Sequence, residues 1–230
     1  MKKNKLIYII IICTVFLQNY FYSSTELNPN FTFALGIDGL DIKFNLVSSF
    51  LLLLPILMIV FVFNDNLYQL INKDGKLYVV RNYSKTNLVL KMILNILLEV
   101  IAITLFEVVV YCILQGKLYD LSTVEIIKAL FIYINAVFSI GLLEIVLQFY
   151  FNPAYVALIT NIFIFISCTF GIVTKSQVIK IFLFPSLMFG LYNGSVTQND
   201  SYIFNLLLFL LIEVILTSVT VFKFKKSDIF

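Results

Sequence analysis

Asn64 to Lys91 reads NDNLYQLINKDGKLYVVRNYSKTNLVLK, the one long charged interruption in an otherwise apolar chain. It carries Lys73, Lys76, Arg81, Lys85 and Lys91 against Asp65 and Asp74. On either side, apolar runs recur at close to the ~20 residues that a helix needs to cross a ~30 Å hydrocarbon core. The contrast decides the fold: the flanking runs read as membrane spans, and this stretch reads as the polar loop between two of them.

Composition agrees. Of 230 residues, 61% are hydrophobic, with 24 Phe, 13 Tyr and no Trp. Charged residues make up 13%, about half the ~25% of an ordinary soluble domain. A soluble fold of this size has too little interior to hide so much apolar surface, so a bilayer must serve as solvent for much of it. No polar run is long enough to form a separate soluble domain. The expectation is an all-α integral membrane protein, a single membrane-embedded bundle over residues 1–230. Its spans fall at about 6–22, 45–63, 92–115, 125–149, 154–173 and 202–222.

Individual residues refine this plan. The basic start, Met1 to Lys5, precedes an uncharged run with no small-x-small cleavage pattern after it, so that run reads as a retained first helix. Pro55 falls in the middle of the second span, where it removes a backbone hydrogen bond and favours a kink. Pro153 follows a tight turn and is placed to open the fifth helix. Orientation follows from Lys and Arg. With both termini cytoplasmic, eleven basic residues lie inside and five, Lys43, Lys117, Lys128, Lys175 and Lys180, lie outside or at its border. The reverse orientation would put three basic clusters outside.

Several chemistries are excluded. The chain has no His, which removes the commonest metal ligand and the usual general base. GxxxxGK[ST] and GxSxG are also absent, so neither P-loop nucleotide binding nor a serine hydrolase elbow is available. Cys13, Cys112 and Cys168 each lie in an apolar run without metal or disulfide spacing. No catalytic residue, metal site or nucleic-acid surface is expected.

Three groups of residues could carry function. Within the charged stretch, Leu67, Leu70 and Ile71 recur at helical spacing with Asp65 and Tyr68 on the same short segment. This describes one amphipathic helix, which Asp74-Gly75 ends as a turn and Arg81 to Lys85 follow as a basic return to the membrane. Such an element suits docking, with an apolar ridge for a partner's groove and charges that fix register. Its plainer reading is a connecting loop whose charges set topology and touch lipid headgroups.

The second group lies between spans five and six. Val178 to Leu191 is apolar but too short to cross, and Pro185 and Gly190 break it. Two half-helices that dip into the outer leaflet fit it, as does an interfacial cap held by Phe182, Phe184, Phe189 and Tyr192.

The third group is acidic. Glu107 and Glu213 fall near the middle of their spans, and Glu99 and Glu144 nearer the cytoplasmic side. Charges at that depth are costly and face a bundle interior or a wet cavity. They describe either a polar pathway or, as the structural alternative, protonated glutamates that bond between helices.

This layout resembles a type-2 ABC exporter permease. The family has six spans, both termini inside, a cytoplasmic docking element between spans two and three, and two short outer helices between spans five and six. Asn64 to Lys91 and Val178 to Leu191 occupy those places, and the Gly75-Lys76-Leu77 to Arg81–Lys85 run is similar to the ATPase-coupling part of small permeases associated with bacteriocins and lantibiotics. The resemblance implies a non-catalytic subunit in the bacterial cytoplasmic membrane. It implies docking to a dimer of cytoplasmic ATPase subunits that hold the ATP and Mg, and pairing with a second copy or a sister permease. The substrate implied is an antimicrobial or amphipathic peptide, or a lipid-like molecule, for export or self-immunity. Two other readings remain: a proton-coupled carrier that uses Glu107 and Glu213, and an immunity or binding protein that captures a toxin at its outer segment.

Overall fold

Apolar runs with few helix breakers form helices where each segment must satisfy its own backbone polar groups. The computed structural model describes residues 4–24, 46–64, 67, 70, 84–115, 123–173, 177–189 and 198–226. In chain order its elements are α1 (Asn4–Ser24), α2 (Leu46–Phe63), α3 (Lys85–Gln115), α4 (Thr123–Gln148), α5 (Pro153–Val173), the short α6 (Gln177–Phe182), a 3-10 turn (Phe184–Met188) and α7 (Asn199–Lys226). There is no strand among the described residues. Helices α3, α4, α5 and α7 are long and apolar enough to cross a membrane. Among the described residues, α1 and α2 contribute the apolar stretches Tyr8–Gln18 and Leu53–Phe63.

Local chemistry explains the boundaries. The expectation that Lys85 to Lys91 belong to the charged loop is corrected: these residues form the first turns of α3. Ser84 starts the helix, its Oγ accepting from the Asn87 N–H at 3.3 Å while its carbonyl accepts from Leu88 N–H at 3.3 Å, an N-cap arrangement. The sequence Ser-Lys-Thr-Asn is polar enough to read as loop, but a serine at this point captures otherwise orphaned N–H groups. Pro153 is the first residue of α5, as expected, with the Asn152 carbonyl accepting from Val156 N–H at 3.0 Å. Helix α2 runs through a buried Pro55.

Helix α4 is the hub. It packs against α2, α3, α5, α7 and the 3-10 turn. Of its apolar window 61% is buried, against 17% for α7, which sets α4 at the centre and α7 at the periphery. Ile132, Tyr133, Ala136, Leu142 and Ile145 of α4 are all inaccessible. Helix α1 lies against α2 and α3, and α2 also meets α5.

The distribution of side chains is inverted relative to a water-soluble protein. Leu94, Leu98 and Leu105 on α3, Leu158 and Ile162 on α5, and Leu207, Leu211 and Val214 on α7 are exposed, whereas Gln18, Glu107, Ser139, Glu144 and Thr160 are buried. A continuous apolar exterior of this extent needs lipid or protein around it, and intramembrane polar residues characteristically turn inward. Cys13 and Cys112 lie on the exposed surface and Cys168 inside.

Four contacts at three levels fix the α4–α7 pairing. At one end Lys128 Nζ donates to Asn199 Oδ1 at 2.7 Å and lies 5.6 Å from the Tyr202 ring centroid. In the middle Ser139 Oγ lies 3.5 Å from Glu213 Oε1. At the other end Lys223 Nζ lies 4.7 Å from the Tyr150 ring centroid. The offset between partners stays within 71 to 74 positions, so the two helices run parallel. Lys128, Ser139 and Tyr150 recur every eleven residues, about three turns at ~3.6 residues each, which keeps them on one face. From Lys128 to Tyr150 the helical rise of ~1.5 Å per residue gives about 33 Å, close to the ~30 Å of a hydrocarbon core. Amphipathic Lys and Tyr side chains at both ends of that length match the interfacial belts of membrane proteins.

Helices α3 and α4 run the other way relative to each other. An atom added at the Gly141 Cβ position would lie 3.3 Å from Ile96 Cγ2, and further along Glu107 of α3 interacts with Tyr133 of α4. One partner number rises as the other falls, which is antiparallel packing.

Candidate functional site

The polar groups of the bundle separate into those satisfied within their own helix and those that reach across. Thr14, Thr104, Thr169 and Thr220 bond back to the carbonyls of Ile11, Val100, Phe165 and Leu216 at 2.7–2.9 Å. This is the usual way to satisfy a hydroxyl inside an apolar helix, and it leaves nothing to explain. The cross-helix groups converge on α4.

Gln148 closes the Lys223 end of α4. Its side-chain amide acts twice: Oε1 accepts from the Leu67 backbone N–H at 3.1 Å, and Nε2 donates to the Phe63 carbonyl at 3.3 Å. Phe63 is the last residue of α2, so its carbonyl is one of the orphaned acceptors at a helix C-terminus. Two turns earlier on the same face of α4 stands Gly141, where a Cβ would come within 3.2 Å of the Phe63 ring. Glu144, fully buried, lies between them on that face. Gly141 gives the closeness and Gln148 the hydrogen bonds, so the end of α2 is held at two points.

Tyr150, just past α4, carries the contact onward to Lys223 of α7. The turn itself is tight, with Tyr150 and Phe151 N–H both donating to the Leu147 carbonyl at 2.9 and 3.0 Å.

Deeper in the bundle are the acidic candidates. Glu107 is inaccessible on α3 and interacts with Tyr133, also inaccessible, on α4. The contact is looser than an ordinary hydrogen bond, since neither Glu107 oxygen has such a partner. Glu213 is half-buried and meets Ser139 midway along the α4–α7 pair. Glu99 is half-buried and within electrostatic reach of Tyr8 on α1. Glu107 and Glu144 are thus enclosed by the bundle, while Glu99 and Glu213 are only half-buried.

The broken segment after α5 is also placed. Phe182 at the end of α6 is 75% exposed, whereas Phe184, Pro185, Ser186, Leu187, Met188 and Phe189 are all buried. The 3-10 turn packs on α4 and α5. Phe184 lies 5.7 Å from the Phe163 ring of α5 and 6.3 Å from the Phe209 ring of α7, the latter edge to face. Phe163 is at mid-helix in α5, so the turn is inserted between the helices and does not cap them from outside. Gly190 lies outside the described residues.

Of the docking candidates, Asp65, Tyr68, Ile71, Asp74, Gly75 and Arg81 lie outside the described residues. Leu67 is 1% exposed and belongs to the core, and half-buried Leu70 packs against it. These two leucines face this chain's own bundle and do not form an open ridge. Lys85 is in the first turn of α3. Among the described residues no group of three His, Cys, Asp or Glu side chains comes together as a metal site would require.

The sequence reading missed Tyr133, Ser139 and the double role of Gln148. Glu144 and Gln148 stand one helical turn apart in the sequence, but the partners of Gln148 lie 81 and 85 positions away. Lys128 and Lys223 were visible as topology signals, not as aromatic contacts.

Fold and site together define an all-helical, membrane-embedded bundle with polar residues turned inward around one central helix. The chain belongs to the DUF2705 family, described as proteins of unknown function, whose family model matches residues 9–230. No curated protein and no solved structure matches it.

Proposed function

We propose that the chain is the membrane-spanning subunit of an ATP-driven exporter, non-catalytic itself, with ATP and Mg held by a separate pair of cytoplasmic ATPase subunits. In this reading α1 and α2 also cross, giving six spans in the bacterial cytoplasmic membrane. Both termini and the 64–84 connection are cytoplasmic, and the Lys128 end of α4 is external.

The observation that carries the reading is the element between α5 and α7. A short helix, α6, leads into a buried 3-10 turn stacked on Phe163 and Phe209. The type-2 exporter plan places two short helices between its fifth and sixth spans. The aromatic-rich interior at this point suits an amphipathic peptide or lipid-like substrate, moved for export or self-protection. Two copies, or one copy with a sister permease, would line the path.

The test is transport of fluorescent amphipathic peptide into inverted vesicles that contain the chain and its ATPase. ATP-dependent uptake abolished by orthovanadate supports the reading. Uptake driven by a proton gradient without ATP supports the second reading, a proton-coupled carrier. The observation that favours that second reading is Glu107, inaccessible and with no ordinary hydrogen bond to either oxygen.

A further inference from the structure

Two helices that meet only through apolar side chains can slide or tilt past one another, because such contacts have no direction. The junction of α2 with α4 is different. The Phe63 ring sits on Gly141 with no Cβ between them, so the ring packs directly onto the α4 backbone. Gln148 then holds the Phe63 carbonyl and the Leu67 N–H with opposite ends of one amide. An amide that donates and accepts at once fixes both distance and direction. Leu67, where the charged connection begins, is buried against the same core.

The contact continues at the same end of α4. Tyr150 lies under Lys223 of α7, and α7 then follows α4 in parallel along its whole length to the Lys128–Asn199 bond. A displacement that enters at Leu67 therefore has a rigid route into α4 and along α7, made of directional contacts at both ends.

We propose that Gln148 is the joint that passes movement of the chain leaving α2 into α4, and so to the far end of the bundle. The proposal rests on the reading that a partner acts on the 64–84 connection. Gln148 touches neither ATP nor substrate, so it is a positioning residue. Loss of its amide leaves the bundle assembled but uncouples the two ends.

Two arms test it on the full-length chain in lipid nanodiscs. The first needs no partner: hydrogen exchange in Gln148→Leu and Gln148→Glu. Gln148→Leu removes both bonds, and exchange at the Leu67 amide is expected to rise tenfold or more while residues 132–142 of α4 keep their protection. Gln148→Glu keeps an acceptor for Leu67 N–H and is expected to retain most of that protection. Unchanged exchange at Leu67 in Gln148→Leu overturns the joint. If Gln148→Leu does not fold, Gln148→Glu decides, because loss of only the Phe63 bond must still broaden the distance between spin labels at Phe61 and Phe151; an unbroadened distribution overturns it.

The second arm uses the chain isolated with its ATPase and trapped with Mg-ATP and orthovanadate. Spin labels at the exposed Val124 and Ile203 report the far end. Wild type is expected to shift on trapping, and Gln148→Leu to show no shift although the ATPase stays bound and trapped. An equal shift in both overturns the proposal, and a purely packing role for Gln148 predicts that equal shift. If no ATPase accompanies the wild-type chain, the exporter reading fails, and the exchange arm still decides the joint.

Discussion

Ser139 on α4 and Glu213 on α7 meet at 3.5 Å, midway between the Lys128–Tyr202 and Tyr150–Lys223 contacts that end the same helix pair. With eleven residues to either side, each about 16 Å long at ~1.5 Å per residue, the pair lies at the midplane of a slab about as thick as a hydrocarbon core. A carboxyl at that depth needs a polar neighbour or water, and a single long hydroxyl contact is a weak one. Glu213→Gln preserves shape and hydrogen bonding while removing the charge. Under the exporter reading it changes the ATP-driven transport rate by no more than about threefold, well under the ~1.4 kcal/mol of a tenfold effect. Glu107→Gln behaves alike. Uptake driven by a proton gradient without ATP that is lost in either variant points to the proton-coupled carrier.

The parallel register gives a geometric prediction. Spin labels at Val124 and Ile203 report a short separation, as do labels at Tyr150 and Phe222. Labels at Val124 and Phe222 lie about 35 Å apart or more, from the ~1.5 Å rise over the helix length between them. Double electron–electron resonance in nanodiscs reads all three, and a short Val124–Phe222 distance contradicts the parallel pairing.

Gly141 is sensitive for a steric reason. A Cβ there comes within 3.2 Å of the Phe63 ring and 3.3 Å of Ile96, and both neighbours are buried. Gly141→Ala is expected to lower stability by about 1–3 kcal/mol, the usual range for overpacking, and Gly141→Val by more. Thermal unfolding in mild detergent measures it; an unchanged midpoint for Gly141→Val means that α2 and α4 do not approach this closely.

Phe182 and Phe184 stand two residues apart and should respond differently. Phe184→Ala removes ring contacts with Phe163 and Phe209. The expected loss is about 1–3 kcal/mol, below the ~3–5 kcal/mol of a soluble core, because lipid rather than water is the alternative surrounding. Phe182, largely exposed, tolerates Ala with no measurable change. Unfolding in mixed micelles with increasing dodecyl sulfate compares the two, and equal effects argue against insertion of the turn between the helices.

Helix content was legible because it rests on local properties: run length, hydropathy and the position of Pro153. The start of α3 was not, because Lys85 and Lys91 read as loop until Ser84 is seen to cap the helix. The acidic residues stand out within the apolar runs, but the sequence does not say how deeply each is buried. Glu107 and Glu144 are sealed inside, whereas Glu99 and Glu213 are half-buried. Leu67 shows the same limit. Helical spacing marks an apolar ridge but does not say whether a partner or the chain's own core covers it, and here the core does. Contacts such as Gln148–Phe63 depend on which helices become neighbours, and no local pattern encodes that.

The central claim is recruitment of an ATPase through the charged connection. It is tested most directly by isolating the tagged full-length chain from its native membrane and measuring orthovanadate-sensitive ATP hydrolysis in the purified material. The comparison is with a variant whose residues 71–83 are replaced by a Gly/Ser linker of equal length, which leaves Leu67 and Gln148 in place. The account predicts a co-purified ATPase at fixed stoichiometry with the wild type, and loss of both ATPase and hydrolysis from the variant at an unchanged thermal midpoint. Hydrolysis absent from the wild type, or retained in full by the variant, would contradict it.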